Sequence, residues 1–192
     1  MSGFFDEYQR VVNIFIKMFW ESDNIPKFID SEVCNQVDSW LLGKAMKCAG
    51  KQASEIVRST IQANAKENYK IYKRVYSKLL KKNKQCNITN MKWNEWIKTV
   101  KLRRRLSMPV FDGNTIELNS GLATVFTNTR ITFDLLVRIA SIFGNRFSLK
   151  MPTRQHKQNK KLVEQGFNLK QSVRLTRHNN DYYLNLYWEE IS

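Results

Sequence analysis

Residues 101–113, Lys101-Leu-Arg-Arg-Arg-Leu-Ser-Met-Pro-Val-Phe-Asp-Gly113, decide how the chain is read. Ahead of them apolar residues recur every three or four positions, as one face of a helix requires. After them β-branched and alternating stretches take over. The expected division is near residue 106, with a helical lobe over 1–105 and a β-rich domain over 106–192. The fold class is α+β: helices first, then a small β-barrel of about six strands with one short helix inserted.

Working back from the junction, residues 91–104 gather Trp93, Trp96, Ile97 and Val100 into a short helix that runs into the arginines. A long helix over 51–83 carries Ala53, Ile56, Val57, Ile61, Tyr69, Tyr72, Val75, Tyr76 and Leu79 on one face, with Lys and Arg on the other. A helix over 27–48 would bury Phe28, Val33, Val37, Trp40, Leu41 and Met46, with Pro26 suited to its start and Gly50 as its stop. The first helix places Phe4, Tyr8, Val11, Val12, Phe15, Ile16 and Phe19 together, its apolar run broken by Asn13 and Lys17.

Working forward, Ser107–Gly113 reads as an extended segment and turn, and Thr115–Asn119 as the returning strand. Leu122–Arg130 has strand composition and Arg146–Met151 alternates, whereas Phe133–Phe143 is ambiguous by periodicity. Gln155–Gln165 reads as a short helix. Ser172–Arg177 and Tyr182–Tyr187 form a hairpin across His178-Asn-Asn-Asp181. Trp40, Trp93 and Tyr183 are expected in the core rather than as stacking platforms.

The 192 residues are 42% hydrophobic, which supplies a core and excludes general disorder, yet the net charge is +15. No stretch is long and apolar enough for a membrane span, and no secretory signal opens the chain. Three unevenly spaced cysteines, Cys34, Cys48 and Cys86, exclude a disulfide framework or a CxxC zinc knuckle. The expected setting is the cytoplasm, or the nucleoid where DNA is engaged.

The charge is concentrated. Residues 1–40 carry a net −4, residues 66–105 a net +12, and residues 150–177 a net +7. One lysine-rich run is ordinarily a solvated helix face. Two concentrations almost free of acid point to a polyanionic partner, which would relieve their self-repulsion.

Catalysis finds little support. His156 and His178 lie in basic sequence without a local acid to orient them, and no phosphate-binding glycine loop, nucleophile elbow or zinc-protease motif occurs. Most of the acidic residues suit solubility or turns, Asp112 among them. No enzyme activity, metal or cofactor is expected of this chain. The binding candidates are clearer. Lys70, Lys73, Arg74, Lys78, Lys81 and Lys82 stud the long helix, and Arg103, Arg104 and Arg105 offer guanidinium forks for several phosphates. Lys150, Arg154, His156, Lys157, Lys160 and Lys161 lie in a segment of phosphate-, sugar- and base-contacting side chains. On the next strand Lys170, Ser172, Arg174 and Thr176 share a face, and Arg177 follows.

Several of these segments resemble the pre-nuclease half of the OrfB/TnpB transposon-encoded RNA-guided nucleases, a family that includes the compact type V CRISPR effectors. The likeness rests on Arg105–Gly113, Phe133-Asp-Leu-Leu-Val-Arg-Ile139, Leu149-Lys-Met-Pro-Thr153, Gly166–Leu175 and Tyr182-Tyr-Leu-Asn-Leu186. Tyr8–Asn13 and Lys51–Val57 resemble the recognition lobe. The resemblance implies that 106–192 is a wedge barrel holding a guide RNA scaffold and that 1–105 cradles a guide–target heteroduplex. It also implies that the nuclease carboxylates and zinc finger lie beyond Ser192, and that the first barrel strand is lacking, so none of the family's catalytic residues carries over.

The leading expectation is an RNA-binding, nuclease-lacking module whose partners are a structured guide-type RNA, target DNA and a nuclease-bearing protein. The alternatives are a mimic that inhibits a guide RNA or its effector, and one half of a split endonuclease.

Overall fold

The computed structural model describes residues 2–22, 24–81, 107–119, 121–127, 135–140, 148–153, 161–162, 164–179 and 181–190. The expected helix at 91–104 and the cysteine at 86 lie outside them. Helix α1 (Ser2–Glu21) buries the whole expected face and Phe5 besides. The expected helix over 27–48 is corrected to a shorter α2 (Ser31–Asn35), whose N-cap Asp30 accepts a hydrogen bond from the Val33 N–H at 2.8 Å. Helix α3 (Gly43–Lys81) then runs straight through Gly50. That glycine is no stop: a Cβ there would lie 3.0 Å from Ile29 Cγ2, so the missing side chain is the space into which Ile29 packs. Because residues 26–30 and 36–42 are not helical, the periodicity that would turn Phe28 and Trp40 inward does not operate. They are 89% and 47% exposed.

Helices α1 and α3 pack side by side. Ala45, Ala49, Ala53, Val57, Ile61 and Ala65 form an unbroken buried stripe at four-residue spacing, and the small side chains at its start let the helix axes approach closely. Six strands follow: β1 (Thr115–Leu118), β2 (Ala123–Thr127), β3 (Leu135–Ala140), β4 (Ser148–Thr153), β5 (Phe167–His178) and β6 (Asp181–Glu190). The ambiguous 133–143 segment thus resolves as a strand. Of the expected helix at 155–165, only residues 161, 162 and 164 are described in helical conformation, with a turn following at 165.

The described strands make two three-stranded antiparallel sheets, ordered β1-β5-β6 and β2-β3-β4, rather than one closed barrel. The turn after β1, where the N–H groups of Leu122 and Ala123 both donate to the Asn119 carbonyl at 2.9 Å, carries the chain from one sheet to the other. Alternation then turns Ile116, Leu118, Val173 and Leu175 of one sheet, and Ala123, Val125, Val137 and Ile139 of the other, into the core. Ile116 faces Leu175 and Val125 faces Val137 across their ladders. The β5–β6 hairpin is as expected, and Asn179 takes φ 54° in its turn, a left-handed conformation that asparagine tolerates. Tyr183, expected in the core, is 51% exposed on the edge strand β6.

A single buried cluster takes residues from all three helices and from both sheets, so the regions on either side of residue 106 share one core. Polar side chains tie them further. The segment 107–113 does not pair with 115–118 as a hairpin; it lies along α1. The Asn13 amide donates to the Phe111 carbonyl at 3.0 Å and accepts from the Phe111 N–H at 2.9 Å, and Gln9 donates to the same carbonyl at 3.2 Å. Gln52 of α3 does the same for β1, donating to the Thr115 carbonyl at 2.9 Å and accepting from the Glu117 N–H at 3.4 Å. Both amides stand where a neighbouring strand would otherwise be. Gly113, at φ 74°, closes the segment where a Cβ would lie 2.6 Å from Gln9 Oε1.

On another face of α1, Glu7 binds Arg10 through a two-pronged ion pair at 2.7 and 2.8 Å and accepts from the Ser39 hydroxyl. Arg10 also donates to the Asp38 carbonyl. The hydrogen bond from Arg10 holds the Glu7 carboxyl below its ordinary value of 4.5. Burial opposes this and the Ser39 hydroxyl adds to it.

Two outcomes are expected. Asn13→Ala leaves the Phe111 N–H unpaired and lowers unfolding free energy by about 1–3 kcal/mol, measurable by urea denaturation. The Glu7 carboxyl is more acidic folded than unfolded, so its contribution is complete above pH 4.5 and fades as the pH falls through the lower native value. The stability deficit of Glu7→Gln is therefore constant near neutrality and shrinks below pH 4.5, which denaturation at a series of pH values reads out.

Candidate nucleic-acid interface

Helix α3 is about 58 Å long at 1.5 Å per residue, and among the described residues its fully buried positions lie in its first two thirds, with Tyr69 and Tyr72 packing against the core further on. Ala65 and Asn68 are the last residues described as buried on it. Beyond them Lys66, Lys70, Arg74 and Lys78 recur every fourth position, all exposed and none with a carboxylate partner among the described residues. A four-residue step advances about 6 Å along the axis, so the cations form an evenly spaced row along the helix. Lys73 sits off this row, its ammonium 5.3 Å from the Tyr69 ring centre and 5.9 Å from that of Tyr72. Those two rings stack at 6.1 Å and pack against the core cluster, which accounts for two aromatics at helical spacing as packing. Lys81 ends the helix, and Lys82 lies outside the described residues.

The strand candidates have a different electrostatic situation. Lys170 Nζ lies 3.1 Å from Glu189, Arg174 Nε 2.5 Å from Glu117, and Arg177 2.7 Å from Asp6 of α1. Arg174 also lies over the Tyr187 ring at 5.7 Å, and Arg177 over Phe5 at 5.2 Å. The hydrogen bond that Arg174 donates to Glu117 raises its pKa. Burial, with Glu117 next to it, raises that of the Tyr187 phenol. These cations already have counter-charges, so a polyanion gains less from them than from the row on α3. The expected common face of Lys170, Ser172 and Arg174 is present: all three line one cleft, on a stretch of β5 whose pairing with β6 shifts register between Leu169 and Val173.

Lys150 lies on β4 opposite Arg138 in the ladder, and Lys161 is exposed on the helical turn before β5. Arg103, Arg104, Arg105, Arg154, His156, Lys157 and Lys160 lie outside the described residues. Sequence reasoning did not single out the other wall of the β5 cleft, which brings Lys27, Phe28, Lys47 and Lys51 against it. The four-residue spacing of Lys47 and Lys51 was the available signal.

Among the described residues no helix is long and apolar enough to cross a membrane. No protein-family model matches the chain, and no curated protein matches it.

Glu117 is the hub that neutralises Arg174. Glu117→Gln is expected to free that guanidinium and make the protein elute from heparin at higher salt. Lys70→Gln is expected to move elution the other way.

Proposed function

We propose that the chain is an RNA-binding module whose ligand is a guide-type RNA scaffold together with its guide–target heteroduplex. It would be related to the segments that precede the nuclease domain in the transposon-encoded RNA-guided DNA nucleases. The observation that carries the reading is the exposed row Lys66, Lys70, Arg74 and Lys78 on the later part of α3. Evenly spaced cations without carboxylate partners among the described residues, along one helix, suit a regular phosphate backbone, which a protein engages through charge and shape rather than base edges. Residues 66–105 as a whole hold a net +12, so the row begins the most basic part of the chain.

In this reading α3 lines a heteroduplex channel, and Arg103–Arg105 with Lys150–Lys161 grip scaffold phosphates. The two sheets belong to a wedge-type barrel that holds the scaffold. Support for guide-type RNA in particular comes from the resemblance of Arg105–Gly113, Leu149–Thr153 and Gly166–Leu175 to the segments before the nuclease domain of that family. Target DNA and a separate nuclease-bearing protein are the further partners.

Purification from the native host in mild salt, followed by sequencing of the bound nucleic acid, tests the reading. One dominant structured RNA with a variable guide segment is expected. A random mixture, or a co-purifying effector protein without RNA, overturns it, and the second result favours an inhibitor. With that RNA in hand, binding falls steeply with salt. Changing Lys66, Lys70, Arg74 and Lys78 together to Gln reduces the slope of log K against log salt by about 0.7–0.9 for each phosphate that is no longer neutralised.

A further inference from the structure

The cleft between residues 27–29, α3 and the β1–β5 edge has a volume of about 580 Å³. That lies within the range of roughly 300–1,000 Å³ typical of sites for small ligands, and is far too small for a duplex. One wall carries Lys27, Lys47 and Lys51, all exposed. Lys27 and Lys47 have no carboxylate partner among the described residues, and the Lys51–Glu55 pair is open to solvent and long at 3.8 Å, hence weak. On the opposite wall Glu117 is taken up by Arg174 and the Tyr187 hydroxyl. The positive charge left to meet a ligand is therefore on the lysine wall.

Phe28 lies among these lysines with 89% of its surface exposed, the highest value among the exposed large apolar residues described. The backbone on both sides of it is anchored. The Ser54 hydroxyl donates to the Pro26 carbonyl, Ile29 fills the space over Gly50, and Asp30 caps α2. An apolar ring held in water by fixed backbone, beside unpaired cations, fits a ligand with a flat π-face and a negative charge. A nucleotide has both, provided its base is not already paired, since single-stranded bases are held by stacking on aromatic rings while basic side chains track the phosphates.

We infer that this cleft binds an unpaired nucleotide of the RNA, its base stacked on Phe28 and its phosphates on Lys27, Lys47 and Lys51. This inference rests on the RNA-binding reading above. It adds a single-strand site at the helix–sheet junction, separate from the cationic row on α3.

The test compares a labelled RNA hairpin with a single-stranded tail against the same hairpin with a blunt end, by fluorescence anisotropy on the full chain. Wild-type protein is expected to prefer the tailed hairpin. Phe28→Ala weakens the tailed complex about tenfold and leaves the blunt one unchanged, while Phe28→Tyr preserves the preference. Lys27→Gln with Lys47→Gln also removes it. Because Phe28 is exposed, Phe28→Ala keeps the wild-type melting temperature, so weaker binding by this variant does not reflect unfolding. Equal affinity of the wild type for both hairpins overturns the single-strand site while leaving the RNA reading standing. Binding to neither overturns both. Polyglutamate competing as well as oligonucleotide would assign the cleft to an acidic peptide, which also overturns the inference.

Discussion

The interaction on which the rest of the structure depends is the docking of two side-chain amides, Asn13 of α1 and Gln52 of α3, onto the backbone of residues 111–117. A segment that turns from a helical layer into a sheet leaves backbone donors and acceptors that no strand satisfies, and each costs free energy if buried unpaired. An amide side chain offers both a donor and an acceptor, as the edge of a strand would. Through these bonds β1 gains a neighbour on the side away from β5. The helices are thereby registered against the sheet, and β1, α3 and β5 are brought together around the cleft. Apolar burial supplies most of the driving force, but it is indifferent to a slip along the interface, and the amides are not.

The same geometry sorts the charges. Acidic residues are abundant near the start of the chain, and the fold brings one of them, Asp6, to Arg177 of β5, while Glu117 of β1 meets Arg174. The row on α3 past Ala65 has no carboxylate partner among the described residues. Two populations of basic residue with similar sequence surroundings thus differ in what they offer a polyanion. The Arg177–Asp6 and Arg174–Glu117 pairs serve to align strand with helix and strand with strand, and the proposed nucleic-acid contact falls to the row on α3.

What is legible in the sequence, and what is hidden there, follows from the range of the forces involved. The α1 face, the strands at 115–118, 123–127 and 148–153 and the β5–β6 hairpin are local patterns of period 3.6 or 2, and they are present as read, whereas the ambiguous 133–143 stretch resolves as β3 between β2 and β4. The apolar spacing over 27–48 is that of a helix, yet the backbone is diverted by Asp30 capping and by Ile29 seated on Gly50, 21 positions away in sequence. Phe28 and Trp40 turn outward with it. Asn13 stands out in the sequence as a polar break in an apolar face, the one visible trace of its bond to Phe111. The pairing of Arg174 and Arg177 has no such trace, since their acids lie 57 and 171 positions away. Periodicity carries no information over such distances.

Those separations have a consequence for how the chain reaches its fold. Helix α1 presents eight buried apolar residues, and much of what locks it in place comes from far along the chain: Phe111 for Asn13, Tyr182 for Phe5, Arg177 for Asp6. During synthesis α1 emerges well before those partners exist. Among the described residues α3 and the segment 38–40 shelter it early, and the remaining face waits until the β5–β6 hairpin has left the ribosome. Long-range closure of this kind slows folding and lengthens the time an apolar surface stays open to wrong partners. The chain therefore has reason to depend on chaperone protection in proportion to its translation time, a vulnerability set by topology rather than by the strength of the finished core.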